Sequence, residues 1–314
     1  MITIATKSRI VRFNGKYYDA GTSNKSFVKV ARDLQKVGVK NWYFMLEIKD
    51  PTLVGIDPYQ CDANGNCTLT KDQISRIMIE ISRNMWYYLR EVCRIPEAGA
   101  TGGGVPYKAN RGNIAQAWCL LHGIDSWLCL PRQQGKTISA LAAQCWVYSF
   151  GTANTSFIFV NKDGDNAKEN LRRMVQQIEI LPIYLRFDSI MDEDGKITKA
   201  IKNATRIEHP VTHNKVIVKS KATSYDNALS LARGLSASVI HFDEPEFTNH
   251  IKTIVENSVS TYNTSAEKSK ANGSIYGRIF TWKRVVMKRF MIVNLFNCGN
   301  ISSSSNYQPK LEIA

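Results

Sequence analysis

Two groups of residues in this 314-residue chain carry types and spacings that could do chemistry on a phosphate. The first is Leu128-Cys-Leu-Pro-Arg-Gln-Gln-Gly-Lys-Thr137: a short apolar run, a turn, then Gly-Lys-Thr opening a helical pattern. That context is what a phosphate-binding loop requires. Backbone N–H groups over Gln133, Gln134, Gly135, Lys136, Thr137 and Ile138 would cradle phosphates at the start of a helix. Lys136 would hold the β and γ phosphates, and the Thr137 hydroxyl would reach Mg2+. The second group is Ser238-Val-Ile-His-Phe-Asp-Glu244, an apolar strand ending in adjacent carboxylates. Asp243 would then sit at the carboxyl end of a sheet and hold Mg2+ through water, while Glu244 would polarise an attacking water. Lys136 and Asp243 are 107 positions apart and in the order this chemistry needs. The first position of G-x-x-x-x-G-K-[ST] falls on Leu130 rather than glycine, so the loop is a variant one.

The surrounding pattern predicts elements able to hold these groups. Strands are expected at Ser126–Leu130, Ser156–Val160, Val239–Phe242 and Ile275–Phe280, with helices from Gly135 to about Phe150 and from about Asp165 to Ile180. Arg206–Glu208 and Val216–Lys219 read as a hairpin pair. Strand-helix alternation implies a mostly parallel sheet covered on both faces. The expected fold is therefore α/β, a P-loop NTPase of the ASCE type, with ATP and Mg2+ as ligands. Before residue 107 the pattern is mixed. Phe27 to Val37 has helical spacing, Trp42 to Ile48 reads as a strand, and Thr70 with Gln73 forms a capping-box signal for a helix continuing through Ile74, Ile77, Ile81, Met85 and Leu89. The expected division is a lead-in over 1–106, an ATPase domain over 107–281 and a divergent, poorly ordered basic tail over 282–314.

Pro-Arg followed by Gln-x-Gly-Lys-Thr resembles the deviant Walker A motif of the large terminase subunit of tailed bacteriophages. The resemblance extends to Phe157–Val160 with Asn161-Lys162 after it, to Ile178-Glu-Ile-Leu-Pro182, to Ala232-Arg-Gly234, and upstream to Asn110-Arg-Gly-Asn-Ile-Ala-Gln-Ala-Trp118. A weaker likeness covers Asn84 to Pro96. The resemblance implies an ATPase that drives DNA into a procapsid, with Glu244, Lys136 and Arg132 as catalytic residues. Arg132 would place a planar cation on charge developing at the γ phosphate. Arg233 would serve the same end or sense that phosphate, Gln116 would hydrogen-bond adenine, and Tyr107 would stack on it. The implied partners are double-stranded DNA, the phage portal, the small terminase subunit and further copies of the chain in a ring, in the cytoplasm of the infected bacterium. Alternatives are a helicase-like P-loop ATPase and a truncated, non-coupling fragment that binds ATP.

Tyr276-Gly-Arg-Ile-Phe-Thr281 resembles the strand that leads into the coupling motif of that family, and the likeness stops there. The remaining residues contain one carboxylate, Glu312, so no two-metal nuclease site is expected in them. A split or intron-interrupted gene, with a separate nuclease part, would account for the break.

Composition narrows the rest. The formal charge is +14, but residues 101–267, with 18 basic and 16 acidic side chains, are near neutral. The excess sits at the ends, with 10 basic against 4 acidic residues over 1–50 and 8 against 1 over 268–314. No apolar run reaches the ~18–20 residues of a bilayer span, and no secretion signal opens the chain. The seven cysteines are scattered and read as reduced. Cys61 and Cys67 lack zinc spacing, and the loop from Asp62 has Cys67 rather than glycine at its sixth position and Gln73 where the bidentate Glu of a calcium loop belongs. His241 reads as a core histidine, while His209, His213 and His250 show no ligand spacing.

Overall fold

Two short strands and an amphipathic helix organise the start of the chain. The computed structural model describes residues 9–97, 103–130, 135–191, 197–219 and 222–283. Strands β1 (Ile10–Phe13) and β2 (Lys16–Asp19) form a hairpin across Asn14-Gly15, both at positive φ, the geometry that suits the twist of a tight hairpin. Helix α1 (Lys25–Lys36) buries Phe27, Val30, Ala31 and Leu34. The strand expected over Trp42–Ile48 is not formed. Only Glu47–Ile48, β3, pairs with β2, and Phe44–Leu46 is a 3-10 turn. Trp42, Tyr43, Met45 and Leu46 are all buried, and an alternating strand would have turned half of them outward.

Helix α2 (Lys71–Arg83) starts on the expected capping box, with Thr70 Oγ1 accepting from Gln73 N–H and Gln73 Oε1 from Thr70 N–H. The single helix expected through Leu89 is instead divided at Asn84. That residue leaves helical geometry, and its Oδ1 accepts the N–H groups of Trp86 and Tyr87, capping α3 (Met85–Tyr87) and the π-helical turn Tyr88–Val92 behind it. Its Nδ2 donates to buried Glu80. Strands β4 (Arg94–Ile95) and β5 (Val105–Pro106) make a small antiparallel pair, and α4 (Arg111–Leu121) follows.

The remaining elements are β6 (Ser126–Leu130), α5 (Lys136–Trp146), β7 (Ser156–Asn161), α6 (Gly164–Ile180), β8 (Ser189–Met191), β9 (Ile197–Lys199), β10 (Ile201–Lys202), β11 (Arg206–Glu208), β12 (Lys215–Lys219), α7 (Tyr225–Arg233), β13 (Val239–Asp243), α8 (Ile251–Ala271) and β14 (Gly277–Lys283). Seven strands form one sheet in the order β10-β11-β12-β7-β13-β14-β6. The five from β12 to β6 are parallel, and β10 and β11 are antiparallel additions. This is the expected α/β class, with β14 inserted between the strand before Gly-Lys-Thr and the strand ending in Asp-Glu. One face packs on α4, α5 and α6 in a cluster continuous with the lead-in, from Tyr18 to Ile279. The other packs on α7 and α8 through Ile158, Val160, Ile240, Phe242 and Phe280. The described part of the lead-in and the sheet therefore share a core. Strand β14 runs two residues past Thr281, pairing Trp282 with Cys129 and Lys283 with Leu130, so the break in the sequence pattern is not a break in the sheet. Residues 284–314 lie outside the described residues.

Candidate active site

Register alone brings Asp243 together with two partners. Asp243 at the end of β13 pairs with Asn161 on β7 and with Thr281 on β14, so the three side chains share a face of the sheet at its carboxyl end. Asp243 is 6% exposed. Its Oδ2 accepts from Asn161 Nδ2 at 3.3 Å and from Asn170 Nδ2 of α6 at 2.8 Å. Its Oδ1 accepts from the hydroxyl of Thr281 and, at 3.0 Å, from that of Thr137. The last bond closes the start of α5 onto the end of β13. Such a set of donors offsets the burial of the carboxylate and fixes its orientation.

Gly135 opens α5 at φ +69, a left-handed conformation that glycine adopts without the cost a Cβ brings. Lys136 follows in the first turn, where burial lowers its pKa while the charges of Asp243, Glu246 and Glu244 oppose that shift. Glu244 also has positive φ, 50°, and its N–H donates to the Thr281 carbonyl at 3.0 Å. Its carboxylate lies 3.6 Å from Lys162 Nζ, at the mouth of the site. Two residues before Asp243, His241 is buried beneath it. Gln144 Nε2 lies 3.2 Å from His241 Nδ1 and Thr281 Oγ1 3.5 Å from His241 Nε2. Thr281 donates to Asp243, so it receives from His241 Nε2–H, and Gln144 donates to Nδ1. Burial lowers the His241 pKa against the pull of Asp243, which keeps the ring neutral in this relay.

Helix α4 flanks the start of α5. Asn110 caps it, and the Nδ2 of Asn113 lies 4.0 Å from where a Cβ on Gly135 would stand. Gln116 is 3% exposed, and neither its Oε1 nor its Nε2 has a hydrogen-bond partner among the described residues. A buried amide left in this state costs stability and calls for a ligand or water. Tyr107 is 2% exposed; its ring packs near Phe27 and its hydroxyl donates to Ser139 Oγ of α5 at 3.1 Å. Enclosed in this way, it presents no face to a base, and the expected stacking role is corrected to a structural tie between the segment before α4 and α5.

No protein-family model and no curated protein matches the sequence. Solved structures do. The ATPase domain of the Thermus phage P74-26 large terminase is 16% identical with a TM-score of 0.39, over 58% of this chain and 68% of that one. The large terminase of bacteriophage HK97 is 15% identical with a TM-score of 0.38, over 68% of this chain and 38% of that one. The large terminase of a thermophilic bacteriophage is 11% identical with a TM-score of 0.37, over 55% of this chain and 38% of that one. The chain is similar to phage large terminases. It spans well under half of the latter two proteins.

Of the residues expected from sequence, Lys136, Thr137, Asp243 and Glu244 are brought together, with Ile138 in the same first helical turn and Gln116 on the neighbouring helix. Arg132, Gln133 and Gln134 lie outside the described residues. Arg233 ends α7, exposed, and its side chain makes no hydrogen bond or ion pair among the described residues. Sequence reasoning missed the support around Asp243: Asn161 and Thr281 as its register partners, Asn170 reaching from α6, and the Gln144–His241 relay. It also missed Glu246 beside Lys136. The period-2 alternation that places His241 and Asp243 on one face was the available signal. Among the described residues no cluster of three or more His, Cys, Asp and Glu forms a metal site, and no helix is long and apolar enough to cross a membrane.

Proposed function

We propose that this chain hydrolyses ATP as the motor part of a phage large terminase and uses the energy to move double-stranded DNA into a procapsid. The reading is carried by the Thr137–Asp243 contact, which joins the Gly-Lys-Thr helix start to the strand ending in Asp-Glu. A hydroxyl that gives its proton to a carboxylate keeps its oxygen for a metal, and a hydroxyl with a carboxylate is an oxygen donor set suited to Mg2+. The ion, held by Thr137 and through water by Asp243, would neutralise charge on the β and γ phosphates. Lys136 binds the same phosphates, and backbone N–H groups over Gln133 to Ile138 line them. Glu244 orients and polarises the attacking water. Arg132 supplies a cation to the γ phosphate in the transition state, and Arg233 is a second candidate. Gln116 reads adenine with its buried amide. The portal, the small terminase subunit and further copies of the chain in a ring, in the cytoplasm of an infected bacterium, complete the proposal.

Phosphate release, measured with and without duplex DNA, tests it. Lys136→Ala and Glu244→Gln should each lower hydrolysis by roughly 10²-fold or more while melting near the parent temperature. Hydrolysis that survives both changes would overturn the assignment. ATP binding with no hydrolysis in the parent chain would instead mark a non-coupling fragment, and duplex translocation without a procapsid would mark a helicase-like ATPase.

A further inference from the structure

The outer face of α1 carries four exposed cations, Lys25, Lys29, Arg32 and Lys36, at i, i+4, i+7 and i+11. These positions form one stripe along the helix, opposite the buried Phe27, Val30, Ala31 and Leu34. At ~1.5 Å of rise per residue the stripe is about 16 Å long, with about 4.5 to 6 Å between successive charges. Asp33, half-buried, is the one carboxylate of the helix. Lys25 Nζ donates to the Thr22 carbonyl at 2.9 Å. Among the described residues Lys29, Arg32 and Lys36 form no ion pair. Helices α2, α6 and α8 carry counter-charges of their own. Lys168 pairs with Asp165, and Arg172 and Arg173 with Glu169, on α6; Arg76 pairs with Asp72 on α2; Lys252 pairs with Glu256 on α8.

We propose that α1 is a contact surface for the phosphate backbone of a nucleic acid duplex. One strand of B-DNA carries a phosphate every ~3.4 Å of axis, so the stripe spans about five of them, within reach of long, flexible Lys and Arg side chains. The even spacing of charge suits a regular polyanion better than the irregular carboxylates of an acidic protein. A bilayer is disfavoured because an interfacial helix must offer its apolar face, and that of α1 is enclosed in the core. The surface is also fastened to the nucleotide site. Asn24 Nδ2 donates to the Tyr107 carbonyl at 2.9 Å, Ser26 Oγ accepts from Ala109 N–H at 2.9 Å, and the Tyr107 hydroxyl reaches Ser139 in the first turn of α5. The inference rests on the function proposed above for duplex DNA as the partner, and its charge argument is independent of hydrolysis.

The test is binding of the purified chain to a fluorescent 30-base-pair duplex over a salt series. Lys29→Glu/Arg32→Glu/Lys36→Glu should weaken binding at low salt by at least about tenfold, and the neutral Gln triple variant should flatten the log–log salt slope by about 2.7, for three contacts at ~0.9 each. Lys252→Glu/Lys268→Glu/Lys270→Glu on α8 changes net charge equally and should weaken binding less. Circular dichroism verifies that each variant is folded, and the Gln variant serves if the Glu variant is not. Equal losses in the α1 and α8 variants, an unchanged salt slope in the Gln variant, no duplex binding by the parent chain, or α1-dependent binding to phosphatidylserine vesicles in its place would each overturn the proposal. Hydrolysis without DNA should be unchanged in the α1 variants. Duplex binding through α1 in a chain whose hydrolysis survives Lys136→Ala would defeat the ATPase reading alone, and the loss of hydrolysis in that variant without an α1 effect on binding would defeat the DNA surface alone.

Discussion

Asp243 and Gln116 show opposite states of a buried polar group, and each state makes a prediction. Thr281, fully buried, donates its hydroxyl to Asp243 and accepts the N–H of Glu244 at its carbonyl, so it orients both acidic residues. Thr281→Val removes the hydroxyl and keeps the shape. On the metal-holding role proposed for Asp243, loss of such a partner should matter by about 10- to 100-fold, and kcat should fall by that factor with KM for ATP little changed. Thr281→Ser should restore most of it, and a purely structural role would instead lower the melting temperature with kcat intact. Gln116 is the converse case, an amide buried with no partner among the described residues. Such a group costs about 1–3 kcal/mol. Gln116→Leu should therefore hold or raise the melting temperature of the nucleotide-free chain while weakening ATP about 5- to 30-fold and reducing discrimination against GTP, a factor matching ~1–2 kcal/mol. Fluorescent-nucleotide titration decides it, and unchanged ATP affinity would remove Gln116 from the site.

At the scale of elements, the strand before Gly-Lys-Thr is held by an aromatic ladder across three strands. Trp127, Phe280 and Phe242 are register partners on β6, β14 and β13, and their rings stack at 4.0 and 4.7 Å within 7° of parallel. Phe280 is the middle rung and fully buried. Phe280→Ala should cost about 3–5 kcal/mol, read by chemical denaturation, and should loosen β6. The strands of this sheet were legible in the sequence because parallel strands buried on both faces are continuous apolar runs, as in Phe157–Val160 and Val239–Phe242. The helix break at Asn84 was not, because apolar periodicity continues across it and only the reach of its amide to Glu80 and to two backbone N–H groups ends α2. The candidate site divides in the same way. Lys136, Thr137, Asp243 and Glu244 are adjacent in sequence in pairs and could be read from spacing. Asn161, Asn170 and Thr281 meet Asp243 only through strand register and the docking of α6, neither of which a local pattern encodes.

For the molecule as a whole, two buried histidines contribute to how stability responds to acid. Burial, with help from neighbouring His213, lowers the pKa of His209 to about 4, and burial lowers that of His241 against the opposing charge of Asp243. His209 also has a structural reason to stay neutral, since its Nδ1 accepts the N–H groups of Val211 and Thr212 at 3.2 and 3.1 Å. In the unfolded chain both rings bind a proton near pH 6.5. Below that pH the unfolded state holds more protons than the native one, so stability falls as pH falls; above it these groups contribute no slope. Each ring adds up to ~1.4 kcal/mol per pH unit, and for His209 the window closes near pH 4. Asp19, whose pKa is raised mainly by burial, works in the opposite direction above its unfolded value. The difference between variants is therefore the cleaner measurement. His209→Asn offers an acceptor for the same N–H groups and cannot titrate. Denaturation at pH 7.5, 6.5, 5.5 and 4.5 should show the parent chain losing stability faster than the variant below pH 6.5, with a constant offset between them above it. Parallel curves across the whole range would show that His209 is not among the groups that make the fold sensitive to acid.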